Sequence, residues 1–232
     1  MRDKLEVAYS QANWANFRSM RKKAQEIVNA LGEIKRSAIV HGSLARGDVD
    51  EQSDIDILVQ NEVSTQLVES NLEANGFHAY LREVAQATPV HSPKAHIYLD
   101  NEQRIAVTIP LMPLRSLEAE FYRFGGTAGP KELMDQSRVP GCTKRLTLIE
   151  PTERGHTESS IIGREARTAN LLGISLKIVE ERIRVLERRD KVGRTGIFLK
   201  ILVPDEMSFE EALTREARAN PALRRTLRLR NR

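Results

Sequence analysis

The fold is decided by residues 39–60, which read Ile-Val-His-Gly-Ser-Leu-Ala-Arg-Gly-Asp-Val-Asp-Glu-Gln-Ser-Asp-Ile-Asp-Ile-Leu-Val-Gln. In the first half, a short apolar strand leads to Gly42 and Ser43 at a predicted helix start. Gly42 lets a ligand come close to the backbone, and Ser43 places a hydroxyl beside unpaired N–H groups that favour an anion. Arg46 can add a bidentate guanidinium contact to a phosphate. This half therefore predicts a phosphate site.

The second half of the stretch predicts a strand that carries two acids. Ser53 precedes Asp54 and Asp56, which alternate with Ile55 and Ile57. Because side chains alternate along a strand, both carboxylates point to one face and both isoleucines to the other. Two such carboxylates, with no Lys or Arg between them, repel each other unless a cation binds there. Oxygen ligands beside a phosphate site favour Mg²⁺ over Zn²⁺.

Together, the run from Gly42 to Gly47 and residues 53–59 resemble the signature of the DNA polymerase beta-like nucleotidyltransferases, which is Gly-Ser, a short gap and Asp-x-Asp. The resemblance is close here and loose over residues 1–110. It implies a mixed sheet flanked by helices, two bound Mg²⁺ (or Mn²⁺) ions, and transfer of a nucleoside monophosphate from an NTP to an acceptor. An ordinary loop followed by an edge strand with exposed acids is the alternative. The resemblance implies catalytic and metal-binding roles for Asp54 and Asp56, and NTP-binding roles for Gly42, Ser43, Arg46 and Ser53.

A third carboxylate, which this superfamily usually carries on a neighbouring strand, is not found. In several branches that strand reads apolar, Asp, apolar, apolar, Pro. Residues 106–110 fit this frame but place Val107, or Thr108 if the register shifts, where the acid belongs. The alternative is therefore a DNA-binding regulator whose degenerate domain only senses nucleotide. The candidate substitutes for the acid are Glu83, Asp100, Glu102 and His96.

Composition indicates a globular chain with no membrane partner. The 232 residues are 40% hydrophobic, and no apolar run approaches the roughly 20 residues of a membrane span. The N-terminus is too charged for a signal peptide. Cys142 is the single cysteine, so no internal disulfide forms, and a cytoplasmic location is expected.

Net charge is distributed unevenly along the chain. Residues 1–140 carry 16 Lys+Arg and 19 Asp+Glu, a net charge of −3, whereas residues 141–232 carry 20 and 13, a net charge of +7. The sum is the +4 of the whole chain. The C-terminal part is thus the candidate nucleic-acid surface, although a basic half is often only a solvated surface.

A second module is predicted after a linker at residues 151–156. Residues 158–204 read as helix, Leu-Gly-Ile-Ser turn, helix and a glycine-bounded hairpin over 192–202, and this order resembles a winged helix-turn-helix domain. Such a domain places its second helix in the major groove of DNA, although many serve protein contacts or dimerisation instead. The candidate nucleic-acid contacts are Ser175, Lys177, Arg184, Arg188 and Arg194.

The predicted fold is α/β (α+β), with a mixed-sheet nucleotidyltransferase domain over residues 1–150, a winged-helix domain over 151–204, and a C-terminal helix with a basic tail over 205–232. The sequence leaves open which NTP is used, which acceptor is modified and whether the chain forms oligomers. Further predicted elements are helices over 4–31, 64–75, 115–124 and 208–220, and strands over 77–87, 94–99, 104–109 and 144–149.

Overall fold

The computed structural model describes residues 4–193 and 196–230, and side chains up to residue 228. These residues form two compact units, each assembled from three separate segments of the chain. Unit 1 comprises residues 4–26, 39–55 and 116–193, and unit 2 comprises residues 27–38, 56–115 and 196–230. The domain boundaries at residues 150 and 204 stay predictions.

The secondary structure mixes helices and strands throughout the described chain, so the predicted mixed α/β class is confirmed. The strands are β1 (Leu5–Ala8), β2 (Ala38–His41), β3 (Ile55–Val59), β4 (Leu81–Gln86), β5 (Lys94–Tyr98), β6 (Ile105–Pro110), β7 (Thr127–Ala128), β8 (Gly141–Cys142), β9 (Thr147–Thr152), β10 (Gly155–Ser160) and β11 (Leu199–Leu202). The α-helices are α1 (Gln11–Ala30), α2 (Ser43–Arg46), α3 (Thr65–Ala74), α4 (Ser116–Gly125), α5 (Pro130–Met134), α6 (Glu165–Leu172), α7 (Leu176–Val192), α8 (Phe209–Ala219) and α9 (Pro221–Arg230), and a 3-10 helix covers Gly32–Ser37.

Unit 1 contains a four-stranded antiparallel sheet in the order β1-β10-β9-β8 and a separate antiparallel pairing of β2 with β7. One hydrophobic cluster joins α4, β8 and β9 to α6 and α7. Burial of these apolar side chains is the main force that holds the helices on the sheet. The cluster consists of Phe124, Cys142, Leu146, Leu148, Ile161, Ala169, Ile174, Ile178, Val179 and Leu186.

Unit 2 contains strands in the order β11-β4-β5-β6-β3. Helices α3 and α8 lie on one face of this sheet, because Arg82 of β4 pairs with Glu69 of α3 and its guanidinium lies 4.7 Å from the Phe209 ring of α8. Side chains alternate across a strand, so Glu83, the residue after Arg82, projects from the opposite face. The two faces of unit 2 thus differ, one covered by helices and one carrying polar groups.

Several predicted elements are confirmed because their signals are local. The 64–75 helix is α3, where the Ser64 hydroxyl accepts a hydrogen bond from the Leu67 N–H. The 94–109 hairpin is β5 and β6, joined by a turn in which the Asp100 carboxylate accepts from the Ile105 N–H. Serine side chains also cap the starts of α7 and α8.

The predicted helix over 4–31 is wrong in its first turns. Residues Leu5–Ala8 form β1 and pair with β10, and the helix begins only at Gln11. The break is set by Ser10, whose hydroxyl accepts from the Asn13 N–H while the Asn13 side chain accepts from the Ser10 N–H. This reciprocal capping satisfies N–H groups that a helix start leaves unpaired.

The predicted linker and wing are not formed by the described residues. The linker over 151–156 instead closes the β9–β10 hairpin. Of the predicted wing over 192–202, residues Leu199–Leu202 form β11 and pair antiparallel with β4, whereas Arg194 lies outside the described residues. The glycines indicated a hairpin between neighbouring residues. The apolar residues instead pair with β4, which is distant in the sequence.

In the part of the chain that the structure covers, no helix combines the length and apolar character that crossing a membrane requires.

Candidate functional site

The turn that follows β2 is shaped by Gly42. This residue has φ 77° and ψ −144°, a conformation that L side chains rarely adopt. Its N–H donates to the Gly126 carbonyl at 3.0 Å, and its carbonyl accepts from the Ala45 and Arg46 N–H groups at 3.1 Å. A Cβ placed on Gly42 would meet no atom within 4 Å, so the backbone here is open to a ligand. Ser43, the next residue, is half-buried.

The guanidinium of Arg46 is hydrogen-bonded to protein groups. Arg46 is 6% exposed, and its Nε and Nη2 donate to the two Asp48 carboxylate oxygens, each at 2.9 Å. Its Nη1 donates to the Gly125 carbonyl at 2.6 Å and to the Cys142 carbonyl at 3.4 Å. These bonds join the guanidinium to protein acceptors and so fix α2, while the predicted NTP contact of Arg46 stays a prediction.

Arg21 is only 1% exposed, although charged runs such as Arg21-Lys22-Lys23 usually lie on a solvated helix face. Its guanidinium donates to the carbonyls of Leu44 at 2.8 Å and Ala45 at 3.1 Å, and also to two carbonyls near α5. The C-terminal carbonyls of a short helix have no partner within the helix. Arg21 supplies those partners. The helical periodicity of the sequence did not indicate this role of Arg21.

Of the two acids, Asp56 lies within β3, and Asp54 lies immediately before its first residue. Ile55 is 5% exposed and Ile57 is 0% exposed, whereas Asp54 is exposed and Asp56 is half-buried. Asp54 belongs to unit 1 and Asp56 to unit 2. Ser53 forms a reciprocal turn with Asp50, in which its hydroxyl donates to the Asp50 carboxylate and accepts from the Asp50 N–H, both at 2.9 Å.

A row of polar side chains, largely shielded from solvent, lies on the face of the unit 2 sheet opposite α3 and α8. The register places Glu83 of β4 opposite His96 of β5, and His96 opposite Thr108 of β6. Strand β6 neighbours β3 in the sheet order. Burial, and after it the charges of Glu83 and Asp56, raises the pKa of Tyr98. Tyr98 shares a strand face with His96, so Asp56 acts on this same polar face.

At the position of the missing acid, the structure has an uncharged pair, Thr108 and His96. Val107 is fully buried and pairs with Ile97, so the polar face receives Thr108 instead. Its Oγ1 lies 2.9 Å from His96 Nδ1. Burial, and after it the ammonium groups of Lys94 and Lys200, lowers the pKa of His96 to about 4. His96 is therefore neutral near pH 7, and with its proton on Nε2 it accepts the Thr108 hydroxyl hydrogen.

The other substitutes for the acid have different roles. Glu83 is 2% exposed, and its Oε2 lies 2.7 Å from Lys200 Nζ of β11, so its charge is compensated. Asp100 accepts backbone N–H groups within the β5–β6 turn. Glu102 is exposed in that turn. His96 is the candidate that the structure brings to the Thr108 position.

Four of the predicted nucleic-acid contacts lie on α7 or at its N-terminal cap. The fifth, Arg194, lies outside the described residues. Ser175 caps α7, and its hydroxyl donates to the Glu120 carboxylate. Lys177, Arg184 and Arg188 are exposed. The exposed acids Glu180 and Glu187 interrupt them on the helix surface.

Metal-binding capacity rests on the acid pair. Across residues 4–193 and 196–230, no group of three or more His, Cys, Asp or Glu side chains is placed to hold a metal ion. The two carboxylates are those of Asp54, exposed just before β3, and Asp56, half-buried within β3. This donor set suits Mg²⁺, which commonly uses one or two carboxylates and completes its shell with water and phosphate oxygens.

By its fold the chain is a mixed α/β protein. After the glycine-serine turn it carries two acids, Asp54 just before β3 and Asp56 within β3. Residues 21–108 match the model of the nucleotidyltransferase domain family, which supports the nucleotidyltransferase superfamily for this part of the chain. The match includes the turn, β3 and Thr108. A comparison with curated proteins finds no match.

Proposed function

We propose that the protein is an Mg²⁺-dependent nucleotidyltransferase that moves a nucleoside monophosphate from an NTP to an acceptor. A nucleotidyltransferase domain suggests this transfer in general. The observation that carries the proposal is the alternation of burial over residues 54–57, in which Ile55 and Ile57 are buried, Asp54 is exposed just before β3, and Asp56 is half-buried within it. In this proposal, Gly42 and Ser43 hold the triphosphate.

The reaction forms a bond between an acceptor oxygen and the α-phosphorus and breaks the bond from that phosphorus to the bridging oxygen, so that pyrophosphate leaves. Asp54 and Asp56 would hold Mg²⁺, which supplies charge stabilisation for the attacking and leaving oxygens. The open backbone at Gly42 admits the phosphates without a clash. Arg46 and Ser53 stay predicted NTP contacts, and their bonds within the protein also hold α2 and the turn before β3.

The acceptor hydroxyl must lose a proton, and the Thr108–His96 pair provides a route for it. The acceptor proton passes to Thr108 Oγ1 as the threonine hydroxyl hydrogen passes to His96 Nδ1. Burial lowers the pKa of His96 to about 4, so the ring is neutral near pH 7 and can accept this proton. The pair thus supplies a proton acceptor at this place without adding a third negative charge.

The experiment is labelling from α-³²P NTPs, each supplied with Mg²⁺ and with RNA, DNA or protein as acceptor. We expect one NTP to label one acceptor class, and Asp54→Asn and Asp56→Asn to lower the rate by at least about 100-fold, since electrostatic stabilisation by a metal contributes several kcal/mol. Glu62→Gln, which changes an exposed acid shortly after β3, is the control and keeps the wild-type rate. Labelling that survives both Asp variants refutes the proposal.

The second candidate is a DNA-binding regulator that binds nucleotide without turnover. The observation that favours it is the neutral Thr108 at the place of the third acid. Thr108→Asp separates the candidates. In an enzyme that uses the Thr108–His96 pair, this variant retains transfer while Thr108→Val loses it. A regulator shows tight Mg-nucleotide binding by calorimetry, no transfer by the wild type, and specific DNA binding.

A further inference from the structure

The helical hairpin at the C-terminus of unit 2 exposes a face rich in arginine. In α9, the ten residues Pro221–Arg230 include no acid. Helix α8 contributes two further exposed arginines before it ends at Ala219. We name this set the arginine face; it consists of Arg215, Arg218, Arg224, Arg225 and Arg228, all of which are exposed.

Both helices of the hairpin are firmly anchored on unit 2. The Phe209 ring of α8 is fully buried under the Arg82 guanidinium. On α9, Leu223 is fully buried, and the Thr226 hydroxyl donates to the Pro89 carbonyl. A partner of the arginine face would therefore meet side chains on a fixed backbone, which lowers the entropic cost of binding.

Arg218 of α8 and Arg224 of α9 lie near one another. Arg224 Nη2 donates to the Arg218 carbonyl at 3.4 Å, which brings the start of α9 to the end of α8. In the described part of the chain, no ion pair involves a residue of the arginine face. Clustered like charges repel, and a surface that keeps them favours an anionic partner with repeated charges.

Helix α7, the predicted DNA-contact helix, differs in this respect. Its residues Leu176–Val192 contain six Lys+Arg and four Asp+Glu, so acids are interspersed among the cations. Phosphates that approach Lys177, Arg184 and Arg188 would also meet Glu180 and Glu187. The arginine face lacks such repulsion along α9.

We propose that the arginine face binds the phosphodiester backbone of a nucleic acid. Guanidinium groups bind phosphate in bidentate fashion, and such contacts give affinity that depends on salt more than on base sequence. This binding stands independently of nucleotidyl transfer, because it needs neither NTP nor Mg²⁺. An RNA and a DNA of the same sequence present the same chemistry, and both are tested.

The experiment compares two triple variants that each remove three positive charges. Arg224→Gln/Arg225→Gln/Arg228→Gln alters the arginine face, and Lys177→Gln/Arg184→Gln/Arg188→Gln alters α7. Binding of fluorescently labelled single strands of RNA and DNA is measured by anisotropy over a range of salt concentrations, without nucleotide. Circular dichroism verifies that both variants fold.

We expect the α9 triple variant to bind RNA, DNA or both at least about tenfold more weakly and to reduce the slope of log affinity against log salt by about 2, since each lost contact removes about 0.7 from the slope for single strands. The α7 variant should bind within about twofold of wild type. The proposal is overturned if the α9 variant binds as wild type does, or if the α7 variant loses as much. It is also overturned if the α9 substitutions abolish binding to anionic phosphatidylserine vesicles while leaving nucleic-acid binding intact.

Discussion

The guanidinium of Arg46 combines a bidentate ion pair to Asp48 with two bonds to backbone carbonyls, all within unit 1. The Gly125 and Cys142 carbonyls belong to segments that reach Arg46 only on folding, whereas Asp48 lies two positions away in the sequence. A buried charge with this many partners is costly to disturb, because the remaining groups stay buried without compensation.

Replacement of Arg46 by lysine should therefore destabilise the protein by about 3 kcal/mol, since one ammonium cannot reproduce the planar fork. Urea unfolding measures the change. The control is Arg36→Lys, because the exposed Arg36–Glu33 pair should contribute less than about 1 kcal/mol. A variant that keeps wild-type stability but loses nucleotide affinity would restore Arg46 to the phosphate-binding role that its motif suggested.

His96 should make stability depend on pH. Its folded pKa of about 4 lies below the unfolded value of about 6.5, so the unfolded state binds the proton first. The contribution of neutral His96 is therefore complete above about pH 6.5 and is lost as the pH falls through 4, by on the order of 2 kcal/mol.

The measurement is the free energy of unfolding of wild type and His96→Gln at pH 7 and pH 4.5. Glutamine cannot titrate, so the variant should lose less stability between the two pH values than the wild type does. Equal losses in both proteins would mean that His96 is protonated in the folded state, and the proposed proton route through Thr108 would then fail.

Among the elements, helix α8 anchors the C-terminal segment on the sheet of unit 2. Phe209 lies fully buried at its first turn, and the Glu210 carboxylate accepts the Thr65 hydroxyl of α3 at 2.9 Å. The capping box between Ser208 and Glu211 begins the helix here.

Phe209→Ala should cost about 3–5 kcal/mol, because it removes a buried ring and leaves a cavity. Urea unfolding measures this loss against Leu202→Ala, a control on β11 whose side chain is 61% exposed and whose truncation should cost less than about 1 kcal/mol. Similar small losses in both variants would show that α8 does not anchor the C-terminal segment.

The elements that could be predicted from the sequence are those with local signals. Helices α3, α7 and α8, each of which begins at a serine cap, were predicted as helices, and period-two alternation separated Asp54 and Asp56 from the buried Ile55 and Ile57. The partner of β11 could not be predicted, because glycines near 193 and 196 indicate a bend but do not tell which strand edge the apolar residues join. The roles of Arg21 and Arg46 were missed for the same reason, since their acceptors include residues distant in the sequence.

For the whole molecule, the interleaved segments of the two units explain why domain boundaries are hard to infer from linear composition. The charge split between residues 1–140 and 141–232 correctly indicated a basic C-terminal part, but it did not distinguish α7 from the arginine face. The two surfaces differ in which cationic side chains are exposed and in whether acids lie among them. The candidate catalytic chemistry, in contrast, was already present in residues 39–60.

The central claim is that the acid pair of β3 holds a divalent ion together with an NTP. It is tested most directly by titrating Mn²⁺ into the protein with a non-hydrolysable NTP and following free Mn²⁺ by electron paramagnetic resonance. We expect the NTP to increase Mn²⁺ binding in the wild type and in Glu62→Gln, and Asp54→Asn or Asp56→Asn to weaken it by at least about tenfold. Undiminished Mn²⁺ binding in both Asp variants would contradict the claim.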